Sequence, residues 1–121
     1  MKKALFIAAA AAFVMGGVMT AEASELGKCK ACHNLDSADK KVGPGLKGIA
    51  GAKQGSAEGF KYGSYLAAQN AAGAVWDDAA LEAWICDSKG VAKAAHGKSK
   101  MPNQKVCGDA AKAAVAELKA L

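Results

Sequence analysis

Two thiols and an imidazole stand together at Cys29-Lys30-Ala31-Cys32-His33, the part of the chain richest in reactive groups. Side chains at i and i+3 share one side of a helical turn, so both sulfurs can add to neighbouring vinyl groups of one porphyrin. A ring held that way leaves the next residue, His33, beneath the metal with a ring nitrogen free to coordinate it. C-x-x-C alone also serves redox and zinc sites, whereas C-x-x-C-H is the attachment pattern of a c-type haem. The motif implies one covalent haem c, bound through two thioethers to Cys29 and Cys32, with His33 as an axial ligand. A zinc or dithiol–disulfide protein is the competing reading, and it would lack a haem absorption spectrum.

The start of the chain indicates a compartment that suits this chemistry. Lys2 and Lys3 precede an apolar or glycine run from Ala4 to Met19, and Ala21-Glu22-Ala23 matches the small-x-small pattern of a signal-peptidase site. The run is shorter than the roughly 20 residues that span a bilayer comfortably. Residues 1–23 read as a cleaved signal and residues 24–121 as one exported domain; an uncleaved N-terminal anchor is the alternative. The folded part is expected in the periplasm, with no stable membrane insertion.

Removing Lys2, Lys3 and Glu22 leaves 14 lysines against 10 acids, a net charge of +4, and the chain has no arginine. Bidentate recognition of phosphate or guanine favours arginine, so a nucleic-acid role finds little support. A lysine excess suits a solvated surface that steers acidic protein partners. Lys28, Lys30, Lys53, Lys98, Lys100 and Lys105 are the candidates for such a rim.

The elements that must position the cluster are short. A helix is expected from Ser24, as N-cap, into the Cys pair. Residues 34–63 are rich in Gly, Lys and polar types with no sustained period, and read as loop. Ser64 to Asn70 suits a short helix ended near Gly73. Asp77 is placed to cap a helix in which Leu81, Trp84 and Ile85 share a face, with a further helical turn over Val91 to Ala95. Asp109 is placed to cap a last helix striped by Ala111, Ala114, Val115, Leu118 and Leu121. No stretch alternates as a strand would, so the fold class is all-α, with long loops.

The other face of the iron has few possible ligands. Residues 24–121 contain one methionine, Met101, and one histidine besides His33, namely His96. Met101 lies in Lys-Ser-Lys-Met-Pro, 68 positions beyond His33. A thioether is a soft ligand that favours ferrous iron and raises the potential relative to a second imidazole. Met101 is the preferred axial ligand. His96, an open iron site, and a Met101 that merely fills a core gap stand as alternatives.

With these residues in hand, the chain resembles the class I monohaem cytochromes c over nearly all of residues 28–121. Val42-Gly43-Pro44-Gly45-Leu46 looks like the family's Gly-Pro turn, Trp76-Asp77-Asp78 and Leu81 to Trp84 like its Trp followed by a helix, and Lys100-Met101 like its axial-Met loop. The resemblance implies a small cytochrome c fold, a few helices wrapped around one haem, and one-electron transfer. It implies that the Pro44 carbonyl orients His33. It also implies that Trp76 donates to a propionate, that Trp84 lines the methionine side, and that Tyr62 and Tyr65 make further propionate contacts.

Two features depart from that pattern. Members usually carry a longer helix before the Cys pair, with an aromatic four positions ahead of the first Cys; here that position is Glu25. A crossing of first and last helices would have to be made by smaller contacts through Leu26. The second departure is the extra pair Cys86 and Cys107. In an exported chain with two thiols committed to haem, these most simply form a disulfide, two free buried thiols being the alternative. Such a bond would staple the Met101 segment and, in the chain-entropy model, contribute roughly 3 kcal/mol.

Iron held by His33 and Met101 has no vacant position, and no Ser/His/Asp set, carboxylate pair or phosphate-cradling loop offers another active site. The expectation is a monomeric, non-enzymatic, periplasmic one-electron carrier whose partners are redox proteins with acidic docking surfaces. A haem-bearing subunit of a larger oxidoreductase, or a ligand-binding or peroxidatic haem protein with a detachable Met101, are the alternatives. Because so small and Ala-rich a domain buries little by itself, the haem-free chain is expected to be largely unfolded. Far-ultraviolet circular dichroism should show low helicity and no cooperative melting; a native-like transition without haem would contradict this.

Overall fold

A computed structural model describes residues 25–121, so the 1–23 segment and the Ser24 cap lie outside the described residues. Three α-helices carry the fold: α1 over Ser64–Ala72, α2 over Asp78–Ala94 and α3 over Gly108–Lys119. A single 3₁₀ turn, Cys29–Ala31, precedes them. Among the described residues there is no strand, only one isolated antiparallel bridge between Lys53 and Val75.

Local chemistry accounts for where the helices begin and end. The Asp77 carboxylate accepts a hydrogen bond from the Ala80 amide at 2.8 Å and so satisfies one of the free donors at the start of α2. Gly73 ends α1 in the left-handed region at φ 77°, where a side chain would be strained. The helix expected from Ser64 to Asn70 thus runs two residues further before meeting its glycine stop.

Two expectations need correction. The Cys pair is approached by turns and one 3₁₀ turn, with no α-helix over the described residues before it. Too few residues carry apolar side chains there to form a helical stripe, and Leu26 alone reaches the core at 3% exposure. The further helical turn expected over Val91 to Ala95 is present: residues 91–94 are helical and lie beyond a break at Asp87, φ −152° and ψ 71°, that divides α2. Asp109 does not cap α3. Cys107 takes the N-cap position, Gly108 turns the chain at φ 61°, and Asp109 falls in the first turn, where its charge still favours the positive end of the helix.

The core lies where α2 packs on α3. Leu81, Trp84 and Ile85 of α2 meet Ala111, Ala114, Val115 and Leu118 of α3, with Leu26, Trp76 and Val106 completing the cluster. Alanines on the α3 stripe allow close approach while the larger residues fill the space. Two exposed ion pairs, Lys112–Glu82 at 3.3 Å and Lys119–Asp78 at 3.1 Å, link the same helices; pairs of this kind contribute little. The short N-terminal segment is tied to α3 by backbone: the Glu25 amide donates to the Glu117 carboxylate at 3.0 Å. With Leu26, this contact joins the chain's start to the last helix. Truncating Leu81, 3% exposed at this helix junction, should cost roughly 3 kcal/mol. Denaturant melts of the Leu81→Ala holoprotein at unchanged m-value would measure it.

Candidate functional site

The 3₁₀ turn presents the motif. The His33 amide donates to the Cys29 carbonyl at 2.8 Å, and the Cys32 amide bonds the same oxygen at 3.1 Å. This double acceptance closes the turn and sets Cys29, Cys32 and His33 in succession. Both thiols are free and half-buried. Burial, with Cys32 beside it, pushes the Cys29 thiol above its ordinary value, so the unmodified sulfur stays protonated at neutral pH.

His33 is oriented by the loop that follows. Its Nδ1 lies 2.7 Å from the Pro44 carbonyl oxygen. That oxygen can only accept, so Nδ1 carries the proton and Nε2 keeps its lone pair for a metal. Gly43 is pressed against the imidazole, and a Cβ there would come within 2.8 Å of Nδ1 and collide with Cε1. The Gly43 amide donates to the Cys32 carbonyl at 2.6 Å, which binds this loop to the motif it serves.

The aromatic residues form a second wall. Trp76 and Trp84 are buried in the core with ring centroids 5.8 Å apart. Tyr65 stacks on Trp84 at 5.5 Å and 15°, which makes it part of that wall and gives it a role beyond the polar contact expected of it. Backbone pairing with residues 51 and 52 holds Trp76: its amide donates to the Ala52 carbonyl and its carbonyl accepts from Gly51, both at 2.8 Å. A cavity of about 460 Å³ opens beside it, and Trp76, Tyr62, Ile49, Ala52 and Lys53 are among its lining residues. The Tyr62 phenolic oxygen accepts from the Ala57 amide at 2.9 Å. Burial raises the Tyr62 phenol above its usual range, with that bond opposing, so it remains neutral at physiological pH.

Met101 sits in a loop strapped from two sides. Toward α1, the Tyr65 amide donates to the Lys98 carbonyl at 3.1 Å, and the Lys98 amide donates to the Ser64 hydroxyl at 2.9 Å. Gly63 and Gly97 allow this approach, since a Cβ on either would lie 3.0 Å or less from the facing backbone. Toward α2, the Ser88 hydroxyl donates to the Met101 carbonyl at 2.8 Å, and the Lys89 amide donates to Asn103 Oδ1 at 2.8 Å. Further along, the Val106 amide donates to the Ile85 carbonyl at 3.2 Å, and a disulfide joins Cys86 to Cys107 with their Cα atoms 4.6 Å apart. Met101 itself is half-buried and packs against the core cluster. His96 is exposed, at φ 59° in the turn after α2.

All six candidate rim lysines are exposed. Two of them also brace loops: Lys28 Nζ donates to the Gln104 carbonyl and Lys100 Nζ to the Lys61 carbonyl, each at 2.9 Å. Sequence reasoning missed Ser88, Ser99 and Asn103, and named Gly43 only within the Gly-Pro turn. Their signal is weak, because the first three work through backbone groups and Gly43 by lacking a side chain.

No family model matches the chain. Cytochrome c-550 of Ancylobacter novellus is 47% identical over 64 residues, covering 52% of this chain and 60% of that protein. Among solved structures, ferric cytochrome c-550 of Paracoccus versutus matches with a TM-score of 0.66 at 34% identity, covering 79% of this chain and 88% of that one. Cytochrome c2 of Rhodospirillum centenum matches at 0.68 and 30% identity, covering 79% and 91%. The chain belongs to the class I monohaem c-type cytochromes. It spans about 60 to 66% of the length of the first curated relatives it matches.

The family's cofactor is one covalent haem c, and the residues present fit it: two free thiols on one turn, an imidazole with Nε2 available, and a wall of aromatic rings. Replacing Gly43 by alanine should displace the imidazole and lower the melting temperature of the haem-loaded protein by several degrees, on the order of 1–3 kcal/mol for overpacking. Thermal melts followed in the haem absorption band would check this; unchanged melting would show that the loop yields without cost.

Proposed function

We propose that the protein is a one-electron carrier of the periplasm, exported by a cleaved signal over residues 1–23, monomeric, and not an enzyme. The observation that carries the reading is the His33–Pro44 bond at 2.7 Å within a C-x-x-C-H turn, across the chain from a methionine loop braced on both sides. A haem iron bound here supplies a reversible one-electron couple. Cys29 and Cys32 would hold the ring by thioethers, and His33 Nε2 would ligate the iron. The Pro44 carbonyl fixes the tautomer and makes the imidazole a better donor. Met101 would supply the second iron ligand, a thioether that favours the reduced state. Trp76 and Tyr62, at the 460 Å³ cavity, suit the propionates, and Trp84 with Tyr65 closes off water on the methionine side. Among the described residues no helix is long and apolar enough to cross a membrane.

The partners are redox proteins with acidic docking faces, met by the lysine rim. Encounters of this kind bury small interfaces and are brief. Raising ionic strength from about 0.01 to 0.15 M shortens the screening length from roughly 30 to 8 Å, so reduction by an acidic redox protein should slow at least several-fold. Salt-independent rates would remove the steering role. Visible spectra of both redox states test the ligands. The oxidised protein should show the weak near-red sulfur-to-iron band, and Met101→Ala should lose it, lower the reduction potential, and let carbon monoxide bind the ferrous form. A wild-type spectrum without that band would end the assignment of Met101.

A further inference from the structure

Ser88 is completely buried, with 0% exposure, inside α2. A serine in mid-helix ordinarily faces water or bonds back to its own helix, and a buried hydroxyl without a partner is costly. Here it leaves the helix. Its Oγ lies 2.8 Å from the Met101 carbonyl and 3.3 Å from Asn103 Oδ1. A hydroxyl has one proton, and the shorter contact goes to Met101.

The break at Asp87 is what makes this possible. With φ −152° and ψ 71°, Asp87 interrupts the helical ladder, and its carboxylate then caps the second half of α2 by accepting from the Gly90 amide at 2.9 Å. Gly90 has no room for a side chain beside that carboxylate. Asn103 Oδ1 takes the Lys89 amide freed by the break. Two amides at the interruption are therefore bonded by side chains, and the group it turns toward the loop is the Ser88 hydroxyl.

We propose that Ser88 is a positioning residue for the Met101 thioether. Its hydroxyl grips the Met101 carbonyl and sets the height of the ligand's backbone, so that the sulfur resists displacement. The proposal rests on Met101 being the axial ligand. Ser99 assists from within the loop, where its hydroxyl meets both the amide and the carbonyl of Met101 at 3.0 Å, but it travels with the loop and cannot anchor it. Ser88 belongs to the packed helix and can.

Lability of the methionine is read by titrating the oxidised holoprotein with imidazole and following loss of the near-red sulfur band. Ser88→Ala should bind imidazole about tenfold more tightly than wild type, on the scale of one buried hydrogen bond. Val91→Ala, on the same helix and partly buried against the core, should lower the melting temperature yet leave imidazole affinity unchanged. Asn103→Ala, which loosens the same anchor from the loop side, should give about a threefold change and serves if Ser88→Ala does not accumulate. A wild-type band with imidazole affinities within twofold for both Ser88→Ala and Asn103→Ala overturns the role of Ser88 while the ligand assignment stands. A wild-type holoprotein with no sulfur band overturns both.

Discussion

The hydrogen bond from His33 Nδ1 to the Pro44 carbonyl, 2.7 Å long, is the interaction on which the rest of the structure depends. An imidazole can rotate about two bonds and can carry its proton on either nitrogen, so its place next to a C-x-x-C turn does not by itself aim a lone pair. The backbone acceptor chooses the tautomer and the rotation together. The loop that carries Pro44 is in turn bonded to the motif through Gly43 and Cys32, and Leu46 returns to the Asn34 carbonyl at 2.8 Å. The imidazole and its orienting loop therefore form one locally closed unit.

The methionine loop is held differently. Met101 lies in irregular backbone, which has no ladder to stiffen it, and the chain compensates by bonding that loop to two helices. The start of α1 holds residues 97 and 98, the break in α2 holds residues 101 and 103, and the disulfide with the Val106–Ile85 bond holds the far end. The packing of α2 on α3 gives these attachments something rigid to pull against. This arrangement restricts the Met101 loop from both ends and from both helices.

Much of this was legible in the residues themselves. The spacing of Cys29, Cys32 and His33 is local, and local spacing translates directly into shared geometry. The face of α2 at Leu81, Trp84 and Ile85 and the stripe of α3 follow from helical period. The Asp77 cap and the Gly73 stop follow from side-chain and backbone chemistry within one turn. Where reading the sequence failed, a distant contact outweighed a local preference. Asp109 has the chemistry of an N-cap, yet the disulfide at Cys107 and the turn at Gly108 begin α3 earlier. The residues before Cys29 could carry a helix, but with only Leu26 to bury they form turns instead.

The sequence by itself determined the chemistry of the site, because the C-x-x-C-H motif and the single methionine of residues 24–121 are properties of residue type and short spacing. Only the tertiary structure decided how firmly that chemistry is held. Ser88, Asn103 and Gly43 act through backbone atoms of residues eleven to fourteen positions away, and Tyr65 through a ring nineteen positions on. Such contacts depend on where the helices come to rest against one another, and nothing in the type of a serine or a glycine records which carbonyl or ring it will meet.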